Sequence, residues 1–189
     1  MDPRIPGLEQ QILSLKQELA TLRRAQPPQP VEDHVFATPE GPRRLSELFG
    51  DREDLLVVHN MGVGCSYCTL WADGFNGVVP ELLSRAAFVL ISPDPAEKAR
   101  RFAAGRGWRF PVVSDESLAF SKALGRWQED SIWPGVSGLR RTADGIVRIA
   151  TADLGEGDDF CAVWHLFDLL RDGWNGWSPA FRLDAAAGD

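Results

Sequence analysis

Cysteine is scarce in this chain, three among 189 residues. That is too few for a framework of disulfide staples, and a chain of this length does not need one, because a single domain of this class buries about two-thirds of its unfolded surface. Basic charge is also in deficit. Twenty lysines and arginines stand against 27 aspartates and glutamates, for a net charge of −7. No basic arm or stripe relieves the balance, which argues against nucleic acid and anionic membrane as partners. Long apolar runs are missing too. None approaches the roughly 20 residues needed to cross a bilayer, and Asp2 and Glu9 interrupt the amino-terminal segment. Internal repeats and low-complexity stretches are likewise absent. What remains, 44% hydrophobic and 25% charged residues, is ordinary for a globular domain. The expectation is a cytoplasmic protein. There cysteines are kept reduced, and a close pair is redox-active or metal-binding more often than a structural bridge.

Leu8, Ile12, Leu15, Leu19 and Leu22 recur at steps of four and three, so residues 1–26 read as an amphipathic helix with one apolar face. Pro27, Pro28 and Pro30 end it and make 27–34 a stiff link. Two readings of this helix stand side by side: it packs back on its own domain, or it makes a homodimer contact with a second copy. From 35 to 183 the periodicity alternates between strand and helix, and 184–189 reads as a flexible tail. The run 55–59 is continuously apolar, as is 87–92, and both are strands covered on two faces. Further elements fall at 95–105 (helix), 110–114 (strand) and 117–124 (helix), with Gly74, Gly77 and Pro80 dividing the helix that follows Cys65. Asp144-Gly145 turns a hairpin of 135–141 with 146–151, and Asp158 and Asp159 cap a closing helix over 160–171. Strands alternating with helices, then a hairpin and a helix, predict an α/β sandwich of three layers around a mixed sheet.

Cys65 and Cys68 form a Cys-x-x-Cys pair between a buried strand and a helix start. Backbone donors of the first turn and the positive end of the helix dipole favour a thiolate at Cys65. Cys68, one turn on, is in reach to close a disulfide and exchange two electrons. A bare pair is a weak signal, whereas one in this position is a much stronger pointer to redox or metal chemistry.

With Pro134 ahead of a hairpin and a closing helix, the pattern resembles the thioredoxin fold, and 110–115 resembles its peroxiredoxin-like branch. The stretches His59-Asn60-Met61-Gly62, Trp71-Ala72-Asp73-Gly74-Phe75-Asn76-Gly77, Arg106-Gly107-Trp108-Arg109-Phe110-Pro111 and Trp164-His165-Leu166-Phe167-Asp168 are similar to the thioredoxin-like family called domain of unknown function 899, whose members are commonly labelled dithiol-disulfide oxidoreductases. The resemblance implies that Cys65 attacks and Cys68 resolves. It puts His59 where thioredoxins carry a buried Asp that assists proton transfer, so His59 is a candidate acid/base or simply a satisfied core histidine. It makes Pro134 the counterpart of the cis-proline that faces the cysteines. Trp71, Asp73 and Asn76 read as core before substrate-orienting.

The resemblance also brings the start of the last helix, with Cys161 and His165 at i and i+4, beside the Cys-x-x-Cys helix. Cys65, Cys68, Cys161 and His165 would suit tetrahedral Zn²⁺ or Cu(I); alternatively Cys161 is a second resolving thiol or a small buried side chain. The leading expectation is an oxidoreductase that needs no cofactor and exchanges disulfides with an unidentified substrate and electron donor. The alternatives are a Zn or Cu protein and a non-catalytic interaction module.

Overall fold

A computed structural model describes residues 2–181; the tail expected at 184–189 lies outside them. An amino-terminal helix α1 (Ile5–Ala25) leads to strands β1 (Gln29–Val31), β2 (Val35–Thr38) and β3 (Gly41–Arg44), then a 3-10 turn (Leu45–Phe49) and β4 (Asp54–His59). Next come α2 (Ser66–Gly77), α3 (Val79–Arg85), β5 (Ala87–Ser92), α4 (Ala96–Arg106), β6 (Val112–Ser114) and α5 (Ala119–Ala123). The chain closes with β7 (Trp127–Gln128), β8 (Ser131–Ile132), β9 (Gly135–Thr142), β10 (Gly145–Asp153) and α6 (Ala162–Phe167).

Eight strands form one mixed sheet in the order β1-β10-β9-β4-β5-β6-β2-β3. The parallel centre, β4 with β5 and β5 with β6, is reached by helical crossovers, while β9 joins β4 antiparallel. Strand alternation then sorts the side chains into two cores. Leu55, Val57, Val89, Ile91 and Leu139 meet Phe36, Phe49 and Phe120 on one face. Val58, Phe88 and Leu90 meet Cys68, Trp71, Phe75, Cys161 and Trp164 on the other. This is the α/β sandwich that the strand and helix pattern predicts, in the thioredoxin-like form that the resemblance implies.

Local chemistry accounts for most boundaries. Helix α2 gives way to α3 at Val78, where Gly77 precedes and Pro80 occupies the first turn of the new helix. Helix α4 stops on Gly107 at φ 68°, whose N–H returns to the Ala103 and Ala104 carbonyls. The stiff link expected at 27–34 contains β1, which pairs with β10 from Gln29 opposite Arg148 to Val31 opposite Ile146. Pro30 is tolerated there because β1 lies at the sheet edge. The closing helix is shorter than 160–171: α6 ends at Phe167 and turns follow. Among the described residues no helix is long and apolar enough to cross a membrane.

Candidate functional site

The loop between β4 and α2 is built to hold Cys65 still. Asn60 accepts the Gly62 N–H at 2.6 Å, Asp94 accepts the Val63 N–H at 2.7 Å, and Cys65 N–H closes on the Gly62 carbonyl at 3.1 Å. Gly62 sits at φ 107°, and a Cβ there would fall 2.7 Å from the Asp94 carboxylate, so the close approach needs glycine. Cys65 is the N-cap of α2: its sulfur accepts the Cys68 N–H at 3.1 Å, and its carbonyl accepts the Thr69 hydroxyl at 3.0 Å.

These contacts split the two thiols. The Cys68 side chain and the backbone N–H groups of Cys68 and Tyr67 bring the half-buried Cys65 down to about 7, against an opposing effect of burial. Cys68 is raised far above the ordinary thiol range, because its proton is engaged by the Cys65 sulfur and burial disfavours a second charge. One sulfur is therefore poised as nucleophile while the other holds its proton. Both are free thiols.

A cleft of about 470 Å³ opens beside Cys65. Met61, Trp71, Trp133 and Pro134 line it together with Tyr67, the β7–β8 hairpin and the segment after β10, including Leu154 and Glu156. The Tyr67 hydroxyl donates to the Glu156 carboxylate and ties the first turn of α2 to that far wall. The hairpin and Glu156 escape sequence reasoning. A two-residue turn with positive φ at both positions normally announces itself with Asn-Gly or Asp-Gly, but here Glu129 (φ 49°) and Asp130 (φ 58°) occupy it. Trp127 and Trp133, flanking so short a segment, are the only signal that could have marked it.

Pro134 lines this cleft with Cys65, but its peptide bond is not cis: no described residue has a cis peptide. The trans link keeps the chain extended from β8 into β9, with the Trp133 N–H on the Arg126 carbonyl at 2.6 Å and the Leu154 N–H on the Pro134 carbonyl at 3.1 Å.

His59 is not brought to the cysteines. It follows Leu55 and Val57 onto the opposite face of the sheet, 1% exposed, stacked on Phe120 at 5.8 Å and paired through Nε2 with the Ser137 hydroxyl at 2.9 Å. Burial, with help from Arg126 and Arg148, pushes its pKa down to about 3. It is a neutral core residue, and the acid/base role expected of it is corrected.

The four donors of the metal alternative are not gathered either. Cys161 has extended backbone as the N-cap of α6, so it does not share a helix face with His165. Its thiol is buried in the core beside Trp164. His165 is half-exposed and faces Asp159 at 3.5 Å. Among the described residues no three His, Cys, Asp or Glu side chains are grouped to hold an ion. Asp158 accepts the Phe160 and Cys161 N–H groups ahead of the helix, so neither it nor Asp159 caps α6, whose N-cap is Cys161.

The polar residues of α2, Asp73 and Asn76, are architectural. Asp73 accepts from the Arg106 guanidinium and from Trp108 Nε1 at 2.8 Å, and Asn76 bonds the Gly107 carbonyl at 3.0 Å and the Arg109 N–H at 2.8 Å. Together they latch α2 to the end of α4.

Solved structures share the fold. Peroxiredoxin Q of Xanthomonas campestris is 21% identical, with a TM-score of 0.56 over 64% of this chain and 80% of its own. Peroxidoxin BcpB of Mycobacterium tuberculosis is 25% identical, with a TM-score of 0.55 over 65% and 82%. Reduced Prx3 of Vibrio vulnificus is 12% identical, with a TM-score of 0.59 over 70% and 89%. No match is found among curated proteins. The model of the family described as "Bacterial protein of unknown function (DUF899)" matches residues 8–179, and the chain belongs to that family.

Proposed function

We propose that the protein is a dithiol-disulfide oxidoreductase. The observation that carries this reading is the division of labour at the N-terminus of α2, where Cys65 is near 7 at a cleft and Cys68 is buried and protonated within contact of its sulfur. The Cys65 thiolate attacks one sulfur of a substrate disulfide, that S–S bond breaks, and one substrate thiolate leaves. The Cys68 sulfur then attacks Cys65 in the mixed disulfide. It releases the second substrate thiolate, to which the Cys68 proton passes, and leaves a Cys65–Cys68 disulfide. Two electrons go from the dithiol to the substrate, and no cofactor enters the exchange.

Cys68→Ser tests this. With resolution blocked, a disulfide reagent accumulates as a stable adduct on Cys65, found by peptide mass, whereas the native protein releases both reagent halves. An adduct on Cys161 instead, or none, overturns the reading. A hydroperoxide is a second reading, favoured by neighbours described as peroxiredoxins and by one whose description concerns alkyl peroxide reduction. In that case Cys68→Ser carries one added oxygen on Cys65 after peroxide treatment, with the alcohol released.

A further inference from the structure

We infer that the Cys65 cleft selects an uncharged, apolar disulfide and rejects anionic ones; the inference rests on the oxidoreductase reading. The wall beside Cys65 offers the face of Trp133, which is 48% exposed, and Met61, which is 41% exposed, with the buried Ile132 and Leu154 behind them. Large apolar side chains left open beside a reactive sulfur favour a ligand that covers them. Among the described residues the only charged side chains lining the cleft are Glu129 and Glu156, and no lysine, arginine or histidine lines it. Glu156 is held in place by the Tyr67 hydroxyl. The attacking sulfur is itself anionic. A carboxylate-bearing disulfide must therefore approach three negative groups with no lining cation to compensate, whereas an uncharged aromatic or aliphatic disulfide meets Trp133 and Met61 without that repulsion.

The test mixes the reduced full-length protein in single turnover with two reagents of similar ring size, dithiodipyridine, which is neutral, and dithiobis(nitrobenzoate), which is dianionic. Each rate constant is normalised to the same reagent's rate with mercaptoethanol. The neutral reagent is expected to lead by about tenfold at low ionic strength, and the lead shrinks as salt screens the carboxylates. Combined Glu129→Gln and Glu156→Gln closes most of the gap, and Trp133→Ala slows the neutral reagent. Equal normalised rates, a lead for the anionic reagent, or a gap untouched by the glutamine variants overturns the selection while leaving the oxidoreductase reading standing. A neutral rate unmoved by Trp133→Ala overturns its apolar part. Failure of Cys65 to react with either reagent removes the oxidoreductase reading itself.

Independently of the cleft, helix α1 points to a second copy of this chain as its partner, and we infer that it forms a parallel two-stranded coiled coil. Ile5, Leu8, Ile12, Leu15, Leu19 and Leu22 occupy every a and d position of the helix, and all are between 41% and 64% exposed. The helix meets its own domain through a different side. Ala20 and Arg23 are half-buried there, Lys16 pairs with Asp159 at 2.6 Å, and α1 packs on β10. Packing back on the domain therefore leaves the leucine seam open. Isoleucine at two a positions and leucine at every d position favours a parallel pair.

Sedimentation equilibrium of the full chain tests this. A dimer at micromolar concentration is expected, and Leu15→Glu yields a monomer with an unchanged melting temperature of the domain. Leu8→Cys, which in a parallel pair meets its own counterpart, cross-links the two copies on oxidation. A monomeric native protein, whether or not α1 binds vesicles, overturns the inference. A dimer indifferent to Leu15→Glu does the same, and a Leu8→Cys dimer that fails to cross-link overturns the parallel orientation.

Discussion

At the scale of single residues, the chemistry depends on what surrounds each titrating atom more than on its type. Cys65 and Cys68 differ by three positions, yet one N-cap sulfur collects backbone donors while the other keeps its proton. The alkylation rate of Cys65 with iodoacetamide is expected to rise as pH passes through about 7, well before an ordinary thiol responds, and Cys68 should be labelled last. A rise centred where free thiols titrate contradicts the arrangement. His59 shows the reverse effect of burial. Its folded pKa near 3 lies below the unfolded value of 6.5, so the unfolded chain takes up a proton that the folded chain refuses. Stability attributable to His59 is thus complete above 6.5 and declines as pH falls from there toward 3. Chemical denaturation of the native protein and of His59→Gln at a series of pH values checks the slope, which the variant should flatten without moving the Cys65 alkylation profile.

At the scale of elements, much was legible. The runs at 55–59 and 87–92 could only be strands covered on both faces, and Cys65 between a strand and a helix start was marked as the reactive cysteine. The side of the sheet on which each residue falls was not. That His59 shares a strand with Val58 says nothing of which core either enters until the register with β5 and β9 is known. Cys161 and His165 failed for a related reason: spacing of four places residues on one helix face only where both are helical, and Cys161 is the cap. Within the Trp71 to Gly77 stretch, Asp73 and Asn76 join α2 to α4, while Trp71 turns the other way and lines the Cys65 cleft. Asp73→Ala should cost about 1–2 kcal/mol through loss of charge-assisted hydrogen bonds to Arg106 and Trp108. Urea denaturation measures it, with Cys65 reactivity expected to stay within the native range. A strong loss of reactivity in a stable variant would return Asp73 to the site.

At the scale of the whole molecule, the sheet divides two cores of different use. One is filled by Phe36, Phe49 and Phe120 and holds His59 neutral. The other carries Cys65, Cys68 and Cys161 toward the ends of α2 and α6, with the cleft at its edge. Three cysteines enter one core, but only two share the N-terminus of α2. Cys65 and Cys68 are therefore expected to oxidise as a unit while Cys161, buried and with its thiol pushed up by burial, stays apart. The direct measurement equilibrates the native full-length protein across a series of thiol-to-disulfide ratios, quenches in acid, alkylates after unfolding and maps every cysteine by peptide mass. One two-electron transition is predicted, in which Cys65 and Cys68 disappear together into a mutual disulfide while Cys161 remains alkylatable throughout. Cys65 and Cys68 persisting as thiols across the whole series, or Cys161 replacing either of them in the bond, would contradict it.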